Sequence, residues 1–481
     1  MKPFSALLAT WRTARGSRVR SASLQGQVLR LALPAVGEQL LNLMVGIVDT
    51  FLVGHLGKQA LAAVGLANEW VMVATTFFGA VATGTTALIA RAVGGEDWHL
   101  AGRALRQSLI LGTAIGLLTT ILGLSLAGPV VALLGAQADT QPLAATYLRT
   151  VATIFLLSTL MFVSNAAMRG AGDTRTPMII MLIVNGLNAA VAWVLINGPF
   201  GLPKMGVEGS AIGAAVGRGV GGILAIALLL RGRGGLRLTL SQLRPDLCLM
   251  GRILRIGLPS GLETILFRLA QMSFYRVVAG LGTAALAAQK VALDAASISF
   301  LPGFGFAVAA TTLVGQGLGA NDPKRAERSG YLSFLWGCGL MVGMGLIFLA
   351  VPATLVRFFT PDPQVIALGA LPLRIIGLAQ PGLAAAMIFA GGLRGAGDTR
   401  TPLWINGTSL WLVRVGLAIL LTQGLSVFVP GLVSTPLPRW LVHGVGLGLP
   451  GAWIGLAADQ TVRGTLMVLR FRAGRWKRAR V

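Results

Sequence analysis

The chain is 481 residues long, 54% hydrophobic and only 12% charged, with a mean hydropathy of +0.76, whereas soluble domains carry about 25% charge. A water-soluble enzyme or binding domain is therefore excluded, and a protein embedded in a bilayer is predicted. The formal net charge of +24 suits nucleic acid at first sight, but its distribution along the chain gives it another meaning.

Residues 1–28 form a basic segment. Phe4, Leu7, Leu8 and Trp11 fall at i, i+3, i+4 and i+7 and are followed by arginines, the pattern of a short helix on the inner leaflet or of a disordered basic tail. No apolar run there precedes a small-residue cleavage site, so no cleavable signal peptide is expected. A bilayer core needs about 20 apolar residues per helix. The stretches 31–56, 60–90, 104–127, 143–168, 177–196 and 206–230 meet that length. Gly, Arg and Pro cluster after them, and 253–281, 284–318, 330–359, 365–393, 403–429 and 451–469 follow. Nothing alternates with a strand period, and lipid accepts only helices or closed barrels. The expected fold is all-α, with twelve transmembrane helices, six per half. The N-lobe spans 29–231, a cytoplasmic linker 232–250, the C-lobe 251–470 and a basic cytoplasmic tail 471–481.

The nine residues RGAGDTRTP occur at 169–177 and again at 394–402, 225 positions apart. The same offset aligns Pro34 with Pro259, Glu38 with Glu263, Glu69 with Asp294, Gly94 with Gly319 and Arg103 with Arg328. Duplicated halves in a membrane protein point to a transporter with its site between them. Within the repeated segment Gly170 and Gly172 suit a helix end, Thr176 a cap and Pro177 a first helical turn. Arg169 and Asp173, like Arg394 and Asp398, are close enough in sequence to pair. A tight charged turn is the expected role, rather than a direct part in transport. Before the last helix the offset grows to 242, which leaves an outer loop containing Trp440 and His443.

If the spans alternate from a cytoplasmic N-terminus, 28 of the 40 Lys and Arg fall inside and only Lys58, Lys204, Arg357 and Arg439 outside. The positive-inside rule then puts both termini in the cytoplasm, and the charge needs no nucleic acid. Cys248 and Cys338 are far apart without partner histidines, so no metal or redox site is expected. Three histidines, His55, His99 and His443, stand near loops, which argues against an enzyme. Gly-rich phosphate motifs are absent, so an ion gradient must supply the energy.

Ionisable groups at membrane depth are costly and read as functional by default. Glu38, Asn42 and Asp49 lie within about 40° on one helical face, a polar stripe expected to face a cavity or a neighbouring helix. Glu38 and Glu263 occupy equivalent places and read as an architectural pair. Glu69, Thr76 and Thr83 repeat every seven residues, as a wet wall would. Asp294 has Lys290 one turn before it, and Asp459 has Arg463 one turn after it, both expected ion pairs. Asn185 and Asn188 are expected to hydrogen-bond Asp49. Arg149, Arg218, Arg268, Arg276, Lys290, Arg374, Arg414 and Arg463 also fall at membrane depth. Arg268 and Arg276 on one helix suit an anionic cargo. Phe77, Phe78, Phe300, Phe304, Phe306 and Met272 suit either a promiscuous apolar pocket or plain packing.

Over residues 28–470 the chain resembles the multidrug and toxic compound extrusion (MATE) family. The resemblance rests on LALPAVGEQLLNLMVGIVDTFLVGHLG, LAAVGLANEW, GLPSGLETILFRLAQMSFYRVVAGLGTAALAAQ, FLPGFGFAVAATTLVGQGLGANDPKRA, the doubled LRGAGDTRTP-like segment and the closing GAAVGRG and GLAADQT helices. It implies two pseudo-symmetric six-helix bundles around a cavity that opens alternately to either side, and drug export driven by proton or sodium entry. It implies a proton-coupling role for Asp49, in the VDT segment of helix 1, with Asn185, Asn188 and Glu69 around it. Three positions depart from the family pattern. Ala192 stands where some members carry an Asp, Phe267-Arg268 where the sodium-coupled branch carries a Glu, and the surroundings of Leu383 are apolar. Protons are therefore expected as the transported ion rather than sodium, with no cofactor. The reading is an antiporter in a bacterial inner membrane, acting as a monomer on amphipathic, cationic small molecules. A flippase for a lipid-linked or anionic substrate is the alternative. The substrate cavity is expected to draw on Glu38, Asn42, Thr76, Glu263, Arg268, Met272 and Asp294.

Overall fold

The computed structural model describes residues 23–199, 203–239, 244–424 and 443–479. The expected N-terminal amphipathic helix and Trp440 lie outside these residues, whereas His443 is described and exposed. Every long element is helical. The first half contains α1 (Leu24–Gly54), α2 (Lys58–Gly94), α3 (Trp98–Ser125), α4 (Gln141–Ala152 continued by Phe155–Gly170), α5 (Arg175–Asn197) and α6 (Gly206–Leu230). The second half contains α7 (Leu247–Ala279), α8 (Thr283–Gly319), α9 (Pro323–Ala350), α10 (Pro363–Leu378 continued by Gln380–Gly395), α11 (Arg400–Leu421) and α12 (Gly448–Arg472).

Among the described residues, eight helices are long and apolar enough to cross a bilayer, and ten if each bent element is one span. The other two long elements, α7 and α12, have 33 and 25 residues. Their charges, among them Arg268, Arg276, Asp459 and Arg463, lower their apolarity without shortening them. The bends in α4 and α10 measure 52° and 55° and fall at the same repeat position. In α10 Pro381 withholds an amide from the helix. In α4 the Thr153 hydroxyl binds the carbonyl of Thr150 at 2.7 Å, a local competitor for the helical ladder.

By their contacts the described residues form two compact units, those within 1–261 with 311–326 and those within 262–310 with 327–480. The units differ from the expected lobes at 29–231 and 251–470, because the first turns of α7 and the last turns of α8 belong to the first unit. Glycines at close approaches make this packing possible. A Cβ at Gly257 would run into the carbonyl of Ala80, and one at Gly94 into the carbonyl of Gln316.

Both RGAGDTRTP segments fold alike. Gly172 and Gly397 take φ values of 89° and 88°, a left-handed turn that favours glycine. The amide of Asp173 binds the carbonyl of Met168, and that of Asp398 the carbonyl of Leu393, both at 2.9 Å, closing a Schellman-type helix end. The next helix is capped by the Asp and not by the Thr. Asp173 Oδ1 accepts the Thr176 amide at 3.1 Å, and Asp398 Oδ1 the Thr401 amide at 3.2 Å. A carboxylate suits this position because the first amides of a helix have no partner within it.

Candidate functional site

Three polar contacts fix α1 inside the first unit. At its basic end, Arg169 donates to Glu38 at 2.6 Å. One turn further, Asn185 donates to the carbonyl of Leu41 at 3.0 Å. Two turns beyond that, Asn188 donates to Asp49 at 2.9 Å. Asp49 is 4% exposed and Asn188 is 1% exposed, so this last pair lies in the interior of the unit. The expectation that both asparagines hold Asp49 is corrected. Asn185 stands three residues earlier on α5 and holds the α1 backbone instead.

The surroundings of Asp49 add two residues that sequence reasoning did not place there. Arg218 of α6 acts electrostatically on Asp49, and Tyr147 of α4 feels both charges. Gly217 brings α6 against α5, because a Cβ there would come within 3.3 Å of Asn188 Cβ. Glu69, expected beside Asp49, is exposed. Asn42 is also exposed, and its side chain binds the carbonyl of Glu38 at 3.0 Å. Thr76 is buried with its hydroxyl on the carbonyl of Met72. The stripe expected along α1 therefore divides, with Glu38 and Asp49 turned inward and Asn42 outward. An apolar cleft of about 580 Å³ opens beside the same turns, lined by Ile47, Val48, Phe51, Leu52, Ala189 and Trp193.

In the second unit each membrane-depth carboxylate faces a cation. Glu263 accepts from Arg394 at 2.6 Å and also from Asn406. Asp459 accepts from Ser409 and from Arg414 at 2.8 Å, and pairs with Arg463 at 2.9 Å. Lys290 pairs with Asp294 at 2.7 Å on a partly exposed face. The pairing of Asp459 with Arg463 was legible at i, i+4, but Arg414 was not. It reaches Asp459 from a π-helical stretch, Ser409–Val415, a form often found at functional positions. Arg414 also binds Gln271 at 3.2 Å and stacks over Phe267 at 5.6 Å. Arg268 is half-buried, while Met272 is 69% exposed.

The signature arginines do not pair with the aspartates of their own segments. Asp173 instead faces Arg233 at 3.6 Å, and Asp398 pairs with Arg470 at 2.7 Å. Among the described residues no group of three or more His, Cys, Asp or Glu is placed to hold a metal ion.

Comparison with known proteins adds four findings. The MatE family model matches twice, over residues 34–194 and 259–420, one match per repeat. The chain is 33% identical over 459 residues to a probable multidrug resistance protein NorM of Thermotoga maritima, covering 95% of this chain and 94% of that one. It is 30% identical to the multidrug resistance protein PmpM of Pseudomonas aeruginosa, covering 92% of each. Among solved structures, an outward-facing multidrug resistance MATE family transporter superposes with a TM-score of 0.83 at 22% identity, over 94% of this chain and 97% of that one.

Proposed function

The chain belongs to the MatE family of multi-pass membrane transporters, and from that premise we propose that it is a secondary multidrug antiporter exchanging amphipathic cations for protons. The observation that carries the coupling site is a contrast among buried carboxylates. Glu38, Glu263 and Asp459 each face a guanidinium within 3 Å, whereas among the described residues the only hydrogen bond that Asp49 accepts comes from a neutral amide. A carboxylate clamped by arginine resists protonation, while one on an amide takes up a proton more readily. Asp49 is the titrating group in this reading, and Asn188 orients its carboxyl. Protonation removes a charge from the interior beside α1 and frees α1 to repack against α5. The apolar cleft on those two helices takes the hydrocarbon part of the cargo.

In this reading the chain lies in a bacterial cytoplasmic membrane with both termini inside, an orientation that the distribution of its basic residues supports. One proton entering down 100 mV supplies about 2.3 kcal/mol, enough to offset the roughly 50-fold accumulation that the same potential drives for a monovalent cationic cargo.

The test is dye accumulation in pump-deficient cells. Wild type excludes an ethidium-like dye, a protonophore abolishes the exclusion, and Asp49→Asn loses it at equal expression. Export by Asp49→Asn at the wild-type rate sinks the coupling site. Failure of well-expressed wild type to exclude cationic dye sinks the cargo class.

A further inference from the structure

Arg218 is a guanidinium at membrane depth with no hydrogen bond and no ion pair among the described residues, held half-buried on α6. An unpaired charge in that position is costly and calls for a reason. Its immediate neighbourhood supplies one. Gly217 presses α6 onto Asn188, Asn188 donates to Asp49 at 2.9 Å, and the Oδ1 of Asn188 is buried without a hydrogen-bond partner among the described residues. An orphaned amide oxygen thus stands next to a carboxylate, and both are acceptors. Two acceptors side by side in a low-dielectric interior want a cation or a set of donors. The charged and titratable groups facing Asp49 from the packed helices are Arg218 on α6 and Tyr147 on α4. α5 contributes the neutral Asn188, and Glu69 of α2 is exposed.

We propose that Arg218 is a tethered counter-ion, a positioning residue that closes onto Asp49 and the Asn188 amide oxygen whenever Asp49 is deprotonated and withdraws when it is protonated. The inference rests on Asp49 as the titrating group. It gives the coupling ion a structural cause. The fork of donors on Arg218 matches a carboxylate and an amide oxygen together, and it fills the place that a free sodium ion would need. It also links ion to cargo. With Asp49 ionised, the pair is neutral and a cationic cargo can approach. Once Asp49 takes a proton, the released guanidinium leaves a net positive charge that repels that cargo.

The experiment uses the full chain reconstituted in proteoliposomes, with release of a cationic dye driven by an imposed pH gradient or an imposed sodium gradient at clamped pH. Wild type responds to the pH gradient and not to sodium. In Arg218→Gln the pH of half-maximal transport rises by about 1 unit, because an opposite charge nearby is worth that much or more. Arg218→Lys, which keeps the charge, stays within about half a unit of wild type. Thermal unfolding of each variant checks the fold. An unchanged pH profile in Arg218→Gln overturns the proposal. So does sodium-stimulated transport by wild type, which needs no variant at all. Loss of pH-driven transport in Asp49→Asn combined with an unchanged profile in Arg218→Gln sinks the tethered ion alone. Full transport by Asp49→Asn sinks the coupling site beneath it.

Discussion

Arg169 donates to Glu38 at 2.6 Å, and the same bond recurs 225 positions later between Arg394 and Glu263, again at 2.6 Å. The arginine that opens each repeated segment therefore ties the end of α4 or α10 to the middle of α1 or α7, four residues after a proline in each case. Glu38 and Glu263 are 3% and 8% exposed, so each carboxylate is buried beneath a partly exposed arginine. Removing one partner of such a pair strands a charge and costs about 3–5 kcal/mol. Arg169→Ala and Arg394→Ala should each lower the thermal unfolding temperature in detergent by several degrees. The reversed pair Glu38→Arg with Arg169→Glu should recover part of the loss. A shift below one degree in the single variants would show that the pair does not hold α1.

The repeat and the helices were legible in the sequence because identity at a fixed offset and apolar length are properties of the chain alone. Glu38 and Glu263 were readable as an architectural pair because both follow a proline by four residues. Their arginine partners were not, because the bonds join residues 131 positions apart across helices whose rotation the sequence does not state. Nearness in sequence suggested Arg169 with Asp173, yet the Schellman-type turn aims Asp173 at its own helix start. The expected place of Glu69 failed for the same reason. A seven-residue spacing shows that Glu69, Thr76 and Thr83 share a face, but not which face the fold buries. Arg218 and Tyr147 interact electrostatically with Asp49 from two other helices, and no local pattern marks such a convergence.

The clamp around Asp459 predicts a ranking. Asp459 is fully buried, with Arg414 and Arg463 on it at 2.8 and 2.9 Å. Asp459→Asn leaves two guanidinium groups without a counter-charge and should cost about 3–5 kcal/mol or more. Arg463→Gln leaves the Asp459–Arg414 pair and the Ser409 bond in place and should cost about 1–2 kcal/mol. Detergent-solubilised yield and unfolding temperature read both. The reverse order would mean that Asp459 does not organise the cluster.

Acid should loosen the segment between the halves at Asp246. Its carboxyl is held below the usual carboxylate range, first by the Leu249 amide and then by Arg103 at 2.6 Å. A group with a lowered folded-state value stabilises the fold above its unfolded value, about 3.9, and that support disappears as pH falls through the folded value. Limited proteolysis of wild type between residues 231 and 250 should therefore accelerate below about pH 4. Asp246→Asn should be nicked faster at neutral pH and respond less to acid. Equal nicking of the two at neutral pH would show that the Arg103 contact does not restrain this segment.

Gly94 and Gly319 are repeat equivalents that meet in the first unit, and their packing predicts opposite outcomes for nearby glycines. A Cβ at Gly94 would overlap the carbonyl of Gln316, and one at Gly319 would overlap the carbonyl of Arg91. Neither obstacle is a flexible side chain, so the helices themselves must part. Gln316 also donates to the carbonyl of Gly170 at 3.1 Å, and Thr312 to that of Arg169 at 3.0 Å, so a shift of α8 unseats the helix end that carries the signature arginine. Gly94→Ala and Gly319→Ala should each cost about 1–3 kcal/mol, as overpacking does. Gly102, inside α3, has nothing within 4 Å of its added Cβ, and Gly102→Ala should gain about 0.5–1 kcal/mol from helix propensity. Unfolding temperatures of the three variants separate these cases. If Gly94→Ala and Gly319→Ala prove as tolerated as Gly102→Ala, the close approach of α2 and α8 is not what holds this end of the unit together.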